Sequence, residues 1–225
     1  MKPTQVPNRT NYASKSGLLL YPGYFDLRRQ QALMATLREV FHRAPPYTPR
    51  MPKSGRPMSV RMSNCGRLGW FSDEDGYRYE PAHPETGRPW PALPDALLEL
   101  WNDVADYPHP PEACLINLYA ASAKMGLHQD LDEADFTAPV VSVSLGDTCL
   151  FRIGGLKRGD PTRSFRLNSG DVLVLGGNAR LAFHGVDRIY SGSSTLLAGG
   201  GRINLTMRRV TRPETTPEKL PETLQ

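Results

Sequence analysis

The chain has 225 residues, 39% of them apolar, a formal net charge of +4 and a pI near 9.0. That length suits one large core, and the charge is too small to identify a polyanion binder by itself. Three cysteines without a C-x-x-C spacing exclude a disulfide framework and a zinc module, and the lack of a signal core or bilayer-length apolar run leads us to expect a soluble, reducing, cytoplasmic setting.

Residues 1–16 are polar and read as a loosely held arm. Gly17 to Tyr21 is a short apolar run stopped by Pro22-Gly23, which predicts a strand and a turn. Asp26 offers an N-cap for a helix of about 18 residues, with Leu33, Leu37, Val40 and Phe41 on one face and Arg28, Arg29 and Arg38 off it. Pro45-Pro46 ends that helix. Residues 46–63 read as a basic loop, with Arg50, Lys53, Arg56, Arg61, four prolines and no acid. Such a loop can lie along phosphates or simply be solvated. Cys65 to Phe71 and Gly76 to Tyr79, split by Asp73-Glu74-Asp75, predict a hairpin with aromatic residues on its arms. After the proline-rich 89–94 stretch comes a second helix, from about Asp95 to Asp106, with Leu97, Leu98, Trp101, Val104 and Ala105 as its apolar face.

From Cys114 the period changes to two. Strands are predicted at Cys114–Tyr119, Val140–Leu145, Cys149–Ile153, Ser164–Leu167, Val172–Leu175 and Ile203–Val210. Short strands broken by Gly, Asp and Asn turns point to a sandwich or jelly roll, with the two helices covering one sheet. The fold class is mainly β with flanking helices.

Two features carry chemistry. In His128-Gln129-Asp130 an imidazole and a carboxylate stand two residues apart, and on an extended segment both point to one side. A further histidine, such as His184 in Phe183-His184-Gly185, would complete a two-His-one-carboxylate set for iron or another divalent metal. The last strand alternates strictly. Arg202, Asn204, Thr206 and Arg208 share one face, and Ile203, Leu205 and Met207 share the other. If the polar face is solvated, this is an ordinary edge strand. If it faces a barrel interior, its arginines need a buried anion, and a dicarboxylate answers that need through bidentate hydrogen bonds. Asn117 and Tyr119 could add polar contacts from the first core strand.

Taken in order, N-x-Y (117–119), H-x-D (128–130), His184 and R-x-N-x-T-x-R (202–208) resemble the AlkB-type Fe(II)/2-oxoglutarate dioxygenases, close to their bacterial DNA-repair members. Asn64 to Trp70, Val141 to Gly146 and Gly154 to Arg158 share the likeness, which spans residues 17–210. The resemblance implies a double-stranded β-helix core at about 113–210, a nucleotide-recognition lid at about 46–80 and a tail at 211–225. It implies His128, Asp130 and His184 as iron ligands. Arg202 would pair with one carboxylate of 2-oxoglutarate, and Asn117, Tyr119, Asn204 and Arg208 would hold the rest. Trp70 would stack on an extruded base opposite His128, Tyr77 would hold the nucleotide backbone, and Asp132 and Arg158 would line the base pocket. Fe(II), O2 and 2-oxoglutarate would drive oxidative demethylation of bases such as 1-methyladenine and 3-methylcytosine in single- or double-stranded DNA, by a monomer with no membrane partner. Leu118 stands where close members often carry a basic residue, and Leu175 where some carry an aromatic one.

Two rivals stand beside this reading: the same chemistry on RNA or a protein side chain, and a non-catalytic jelly-roll nucleic-acid-binding module. His42, His83 and His109 are read as exposed residues without a role, Cys65, Cys114 and Cys149 as buried apolar filler, and the tail from Thr211 as loosely attached.

Overall fold

The computed structural model describes residues 10–13 and 17–214. Thirteen strands and two α-helices follow in the order β1 (Thr10–Ala13), β2 (Leu18–Tyr21), α1 (Leu27–Arg43), β3 (Val60–Gly66), β4 (Gly69–Asp73), β5 (Gly76–Glu80), α2 (Asp95–Val104), β6 (Ala113–Tyr119), β7 (Met125–His128), β8 (Val140–Gly146), β9 (Thr148–Ile153), β10 (Arg163–Leu167), β11 (Val172–Leu175), β12 (His184–Tyr190) and β13 (Arg202–Arg208). A seven-stranded sheet, β1-β2-β11-β8-β13-β6-β3, faces a four-stranded sheet, β10-β9-β12-β7, and β4 and β5 form a separate hairpin. Every named pairing is antiparallel. This is the double-stranded β-helix expected from the sequence.

Alternation along the strands makes the two layers. Val141, Val143 and Leu145 of β8 and Ile203, Leu205 and Met207 of β13 pack with Leu33, Leu37 and Val40 of α1 and Leu97, Leu100 and Trp101 of α2 in one buried cluster. The helices therefore cover the outer face of the larger sheet. A second cluster, with Leu20, Leu115, Phe151, Ile153, Leu173, Val186 and Ile189, fills the space between the sheets. Full burial of each such side chain contributes about 1.5–3 kcal/mol. Helix α1 starts where Asp26 accepts a hydrogen bond from the Arg29 amide at 2.8 Å, the N-cap contact its sequence offers. The Arg29 guanidinium lies over the rings of Tyr24 and Phe25.

Several expectations need correction. Residues 10–13 lie inside the expected polar arm but pair as β1 with β2; residues 1–9 lie outside the described set. The basic loop ends at residue 59, and Val60 to Ser63 already belong to β3, the edge strand paired with β6. The prolines before it masked the alternation of buried Val60 and Met62 around exposed Arg61. Strands β7 and β12 were not foreseen; β7 is short and contains Gly126, and β12 carries a bulge between Val186 and Arg188 that breaks its period. The final strand stops at Arg208. Helix α2 buries Leu100, while Leu98 is only partly covered. His83 is buried: its Nε2 donates to the Pro45 carbonyl at 2.7 Å, and its Nδ1 accepts from the Glu85 amide at 3.1 Å. It is a structural residue of the loop. The tail is tied down at its start, since Thr211 donates its amide to Glu112 Oε2 at 2.6 Å and its hydroxyl to Oε1 at 2.9 Å. The three cysteines are free and buried, as read.

The two faces of α2 give a direct check. Leu100→Ala removes a fully buried side chain and is expected to cost about 2–5 kcal/mol of unfolding free energy. Leu98→Ala is expected to cost less than about 1 kcal/mol. Urea unfolding of both variants measures the contrast, and equal losses would contradict this packing.

Candidate metal centre

Strand β7 ends on His128, and β12 opens on His184, its register partner. Cross-strand pairing thus sets two imidazoles side by side, with ring centroids 4.5 Å apart. Asp130, two residues past His128, lies between them. Its Oδ1 is 3.8 Å from His128 Nε2 and its Oδ2 is 3.9 Å from His184 Nε2. One ligand atom from each residue falls within 4.8 Å of the others.

The hydrogen bonds behind the rings orient them. Nδ1 of His128 lies 2.9 Å from the Gly126 carbonyl, and Nδ1 of His184 lies 2.9 Å from the Ala182 carbonyl. A carbonyl can only accept, so each Nδ1 carries the proton and each Nε2 turns a lone pair to the centre. Asp130 Oδ2 is buried and accepts no hydrogen bond. Two imidazoles and one such carboxylate fit a divalent iron and leave coordination positions open. Burial opposes the charge on Asp130, but Arg208 first, then His184 and His128, hold its pKa well below the usual carboxylate range. Burial lowers the His184 pKa to about 4, with His128 acting the same way and Asp130 against it. At neutral pH both residues are in their ligating forms.

The inner face of the larger sheet continues the site. β13 lies between β6 and β8, with Arg202 opposite Tyr119 and Asn204 opposite Asn117. Arg202 is 2% exposed. Its Nη2 donates to Ser144 Oγ at 2.8 Å, while its Nε and Nη1 have no partner. Among the described residues, no carboxylate ion-pairs with it. A buried guanidinium without a counter-charge is costly, and it suits a carboxylate ligand. The side-chain oxygen of Asn117, on β6 opposite Asn204, is also buried without a partner. The polar face of β13 is therefore interior, which excludes the solvated edge strand. Asn204 is already engaged, donating to Ser142 Oγ at 2.7 Å and the Val143 carbonyl at 3.0 Å. Arg208 faces the triad, with Nη2 2.9 Å from Asp130 Oδ1 and Nε 3.4 Å from Glu133 Oε1.

The residues expected at the base pocket also gather at this end. Trp70 Nε1 donates to Asp132 Oδ2 at 2.7 Å, and Tyr77 stacks on Trp70 at 5.4 Å and 23°. Burial raises the Asp132 pKa, opposed by the Trp70 bond. Arg158 donates to the Leu127 carbonyl at 2.9 Å, next to His128, and lies over the Phe183 ring.

Four further residues were not singled out from the sequence. Tyr79 donates to buried Glu133, Arg180 pairs with Glu133 at 2.9 Å, and Gln129 bonds the Leu181 carbonyl at 2.6 Å. Tyr79 was discoverable, since it alternates with Tyr77 on one strand face and Glu133 sits in the same acidic run as Asp130. Nothing in the sequence near Arg180 points to a partner 47 residues away.

Residues 17–208 match the sequence model of the 2OG-Fe(II) oxygenase superfamily. The chain is 58% identical over 193 residues to an alpha-ketoglutarate-dependent dioxygenase AlkB homolog of Caulobacter vibrioides, covering 86% of this chain and 87% of that one. It is 42% identical over 194 residues to the alpha-ketoglutarate-dependent dioxygenase AlkB of Escherichia coli K12, covering 84% and 89%. The solved structure of OsALKBH1 superposes with a TM-score of 0.78 at 29% identity, over 90% of this chain and all of that chain.

The buried neutral histidine has a pH signature. With a folded pKa near 4 against an ordinary 6.5, the unfolded chain takes up a proton that the folded site refuses. The contribution of His184 to stability is complete above pH 6.5 and falls as the pH drops toward 4. Urea unfolding of metal-free protein from pH 7 to 4 should show a shallower decline in His184→Gln than in wild type. An identical slope would contradict a neutral buried imidazole.

Proposed function

The chain belongs to the 2OG-Fe(II) oxygenase superfamily, as an AlkB-type dioxygenase using Fe(II), 2-oxoglutarate and O2, and from this premise we propose that it oxidatively demethylates N-alkylated bases in DNA, of the 1-methyladenine and 3-methylcytosine kind, as a cytoplasmic monomer. His128, Asp130 and His184 would hold the iron. Arg202 would pair with one carboxylate of 2-oxoglutarate, and Asn117, Tyr119, Asn204 and Arg208 would hold the rest. The observation that carries this reading is buried Arg202, with two partnerless nitrogens on the interior face of β13, the strand whose Arg208 pairs with Asp130 of the triad.

The bound iron, with 2-oxoglutarate and O2, supplies the oxidation of the N-alkyl carbon, and 2-oxoglutarate leaves as succinate and CO2. The chain's own residues bind and orient. The Arg202 guanidinium would neutralise a carboxylate and orient it by charge-assisted hydrogen bonds. Trp70 offers an aromatic face on which an extruded base can stack, with its indole fixed by Asp132. Arg158, exposed beside His128, would place a cation at the pocket rim, where it can meet a phosphate or a base oxygen. The lesion lies on the pairing edge of the base, so it must leave the duplex to reach the metal, and damaged pairing lowers that cost. Once hydroxylated, the carbon–nitrogen bond breaks, giving an aldehyde and the restored base.

The test is anaerobic loading with Fe(II) and 2-oxoglutarate, then exposure to O2 with a single-stranded DNA carrying 1-methyladenine, followed by mass spectrometry. Methyl loss that requires both iron and 2-oxoglutarate supports the proposal. Succinate formation with the DNA unchanged, and methyl loss from a matched RNA instead, would move the substrate to RNA. A folded protein giving neither product would sink the enzymatic reading.

Arg202→Met should leave the fold intact but raise the KM for 2-oxoglutarate by at least about 30-fold, as loss of one partner of a buried charge pair costs roughly 2–5 kcal/mol. Titration of succinate production against 2-oxoglutarate measures this, and an unchanged KM would remove Arg202 from the cradle.

A further inference from the structure

The two segments that bring the ligands together are locked to each other by a reciprocal clasp. Residues 128–130 carry His128 and Asp130, and residues 180–184 lead into His184. Gln129, between the first two ligands, donates its Nε2 to the Leu181 carbonyl at 2.6 Å. In return Arg180 donates its Nη1 to the Asp130 carbonyl at 3.0 Å. The remaining guanidinium donors of Arg180 hold the rest of the β7–β8 loop. Nε donates to the Ala138 carbonyl at 3.0 Å, and Nη2 bonds Glu133 Oε2 at 2.9 Å. The Arg180 side chain is 2% exposed and the Glu133 side chain 1%, and Phe136 closes over the guanidinium.

We propose that Arg180 is a positioning residue for the metal centre, and that with Gln129 it fixes the Asp130 segment against the His184 segment at the spacing the metal requires. The inference rests on His128, Asp130 and His184 being the metal ligands.

First, strand pairing fixes His128 against His184, but Asp130 lies two residues past the end of β7, where no ladder hydrogen bond restrains it. The Arg180 bond to its carbonyl replaces that restraint. Second, a buried guanidinium this fully engaged is an expensive way to make a mere loop contact, because only good geometry repays its desolvation. Its planar fork serves three acceptors from one loop, which an ammonium group cannot reproduce. Third, Arg180 and Gln129 touch no position at which a substrate or co-substrate role is assigned, so the contacts they make are those of aligning groups.

The test uses the full chain, stripped of metal, with Mn(II) binding measured by calorimetry and folding by thermal melt and circular dichroism. Wild type should bind and His128→Ala should not. Arg180→Lys, which keeps the charge and loses the fork, should weaken Mn(II) binding about 10–100-fold while remaining folded, and Gln129→Leu should weaken it about 10-fold. A purely structural role would lower the melting temperature and leave the affinity at 25 °C alone. Folded Arg180→Lys with an affinity within twofold of wild type overturns the proposal. If Arg180→Lys does not fold, Gln129→Leu decides: an unchanged affinity overturns the clasp, and a loss supports it. If His128→Ala binds Mn(II) as tightly as wild type, the ligand assignment itself is wrong and the clasp falls with it.

Discussion

Burial of charge between two β-sheets is the constraint on which the rest of this structure depends. Arg180, Arg202, Arg208, Asp130 and Glu133 are all buried. Left uncompensated, any one of them would cost several kcal/mol. Asp130 is compensated by Arg208, and Glu133 by Arg180 and Arg208. Of these, Arg202 alone has no carboxylate partner among the described residues, and its surplus of positive charge is fully buried, opposite Tyr119. The interior therefore has two poles. One is a charge-paired network around the candidate metal ligands, and the other is an unpaired cation that a dicarboxylate would complete. Such an asymmetry would favour an anionic co-substrate, because one of its carboxylates would meet an uncompensated buried cation.

The apolar packing makes such an interior affordable. Strands β6, β8, β11 and β13 of the larger sheet present Val, Leu, Ile or Met to the cluster they share with the two helices, so that face alone buries a continuous core. The opposite face of β8 and β13 is then free to be polar, with Ser142 and Ser144 beside Arg202, Asn204 and Thr206. A one-residue slip of β13 would turn the arginines into the helix layer and three apolar side chains into the site. Register is thus fixed from both sides, by hydrophobic burial outside and by charge pairing inside. The glycine at 201 helps begin that register: its φ is +88°, and a Cβ there would meet the Tyr119 carbonyl oxygen at 2.7 Å.

What could be read from the sequence divides along the same physical line. Period-two alternation in β6, β8 and β13, the capped and striped α1, and the H-x-D pair with its distant histidine were all visible, because each is a local pattern or a strong motif. The positions of β7 and β12 were not, although they carry His128 and His184, two of the three residues that could hold the metal. β7 is only four residues with a glycine inside, and the bulge in β12 shifts its alternation by one. β3 was hidden behind prolines. Exposure was misjudged at His83, where proline neighbours suggested a surface loop and a carbonyl 38 residues away takes the ring. Arg180 and Glu133 were invisible as a pair because their meaning lies in a long-range contact rather than in spacing.

The short run Asp130-Leu131-Asp132-Glu133 draws these strands of argument together. Asp130 faces the histidines, Asp132 holds the Trp70 indole, and Glu133 accepts from Tyr79 while pairing with Arg180 and Arg208. Trp70 and Tyr79 are themselves opposite each other in the β4–β5 hairpin. The hairpin is therefore bonded to the same four residues that supply the carboxylate ligand, with no intervening element. Any shift of the hairpin acts on Glu133 and, through Arg208, on the oxygen of Asp130. A substrate base stacked on Trp70 would thus rest on a support mechanically continuous with the metal centre. The alkyl group must be brought to within reacting distance of that centre, and a support anchored to the ligand loop itself defines that distance with the fewest adjustable joints.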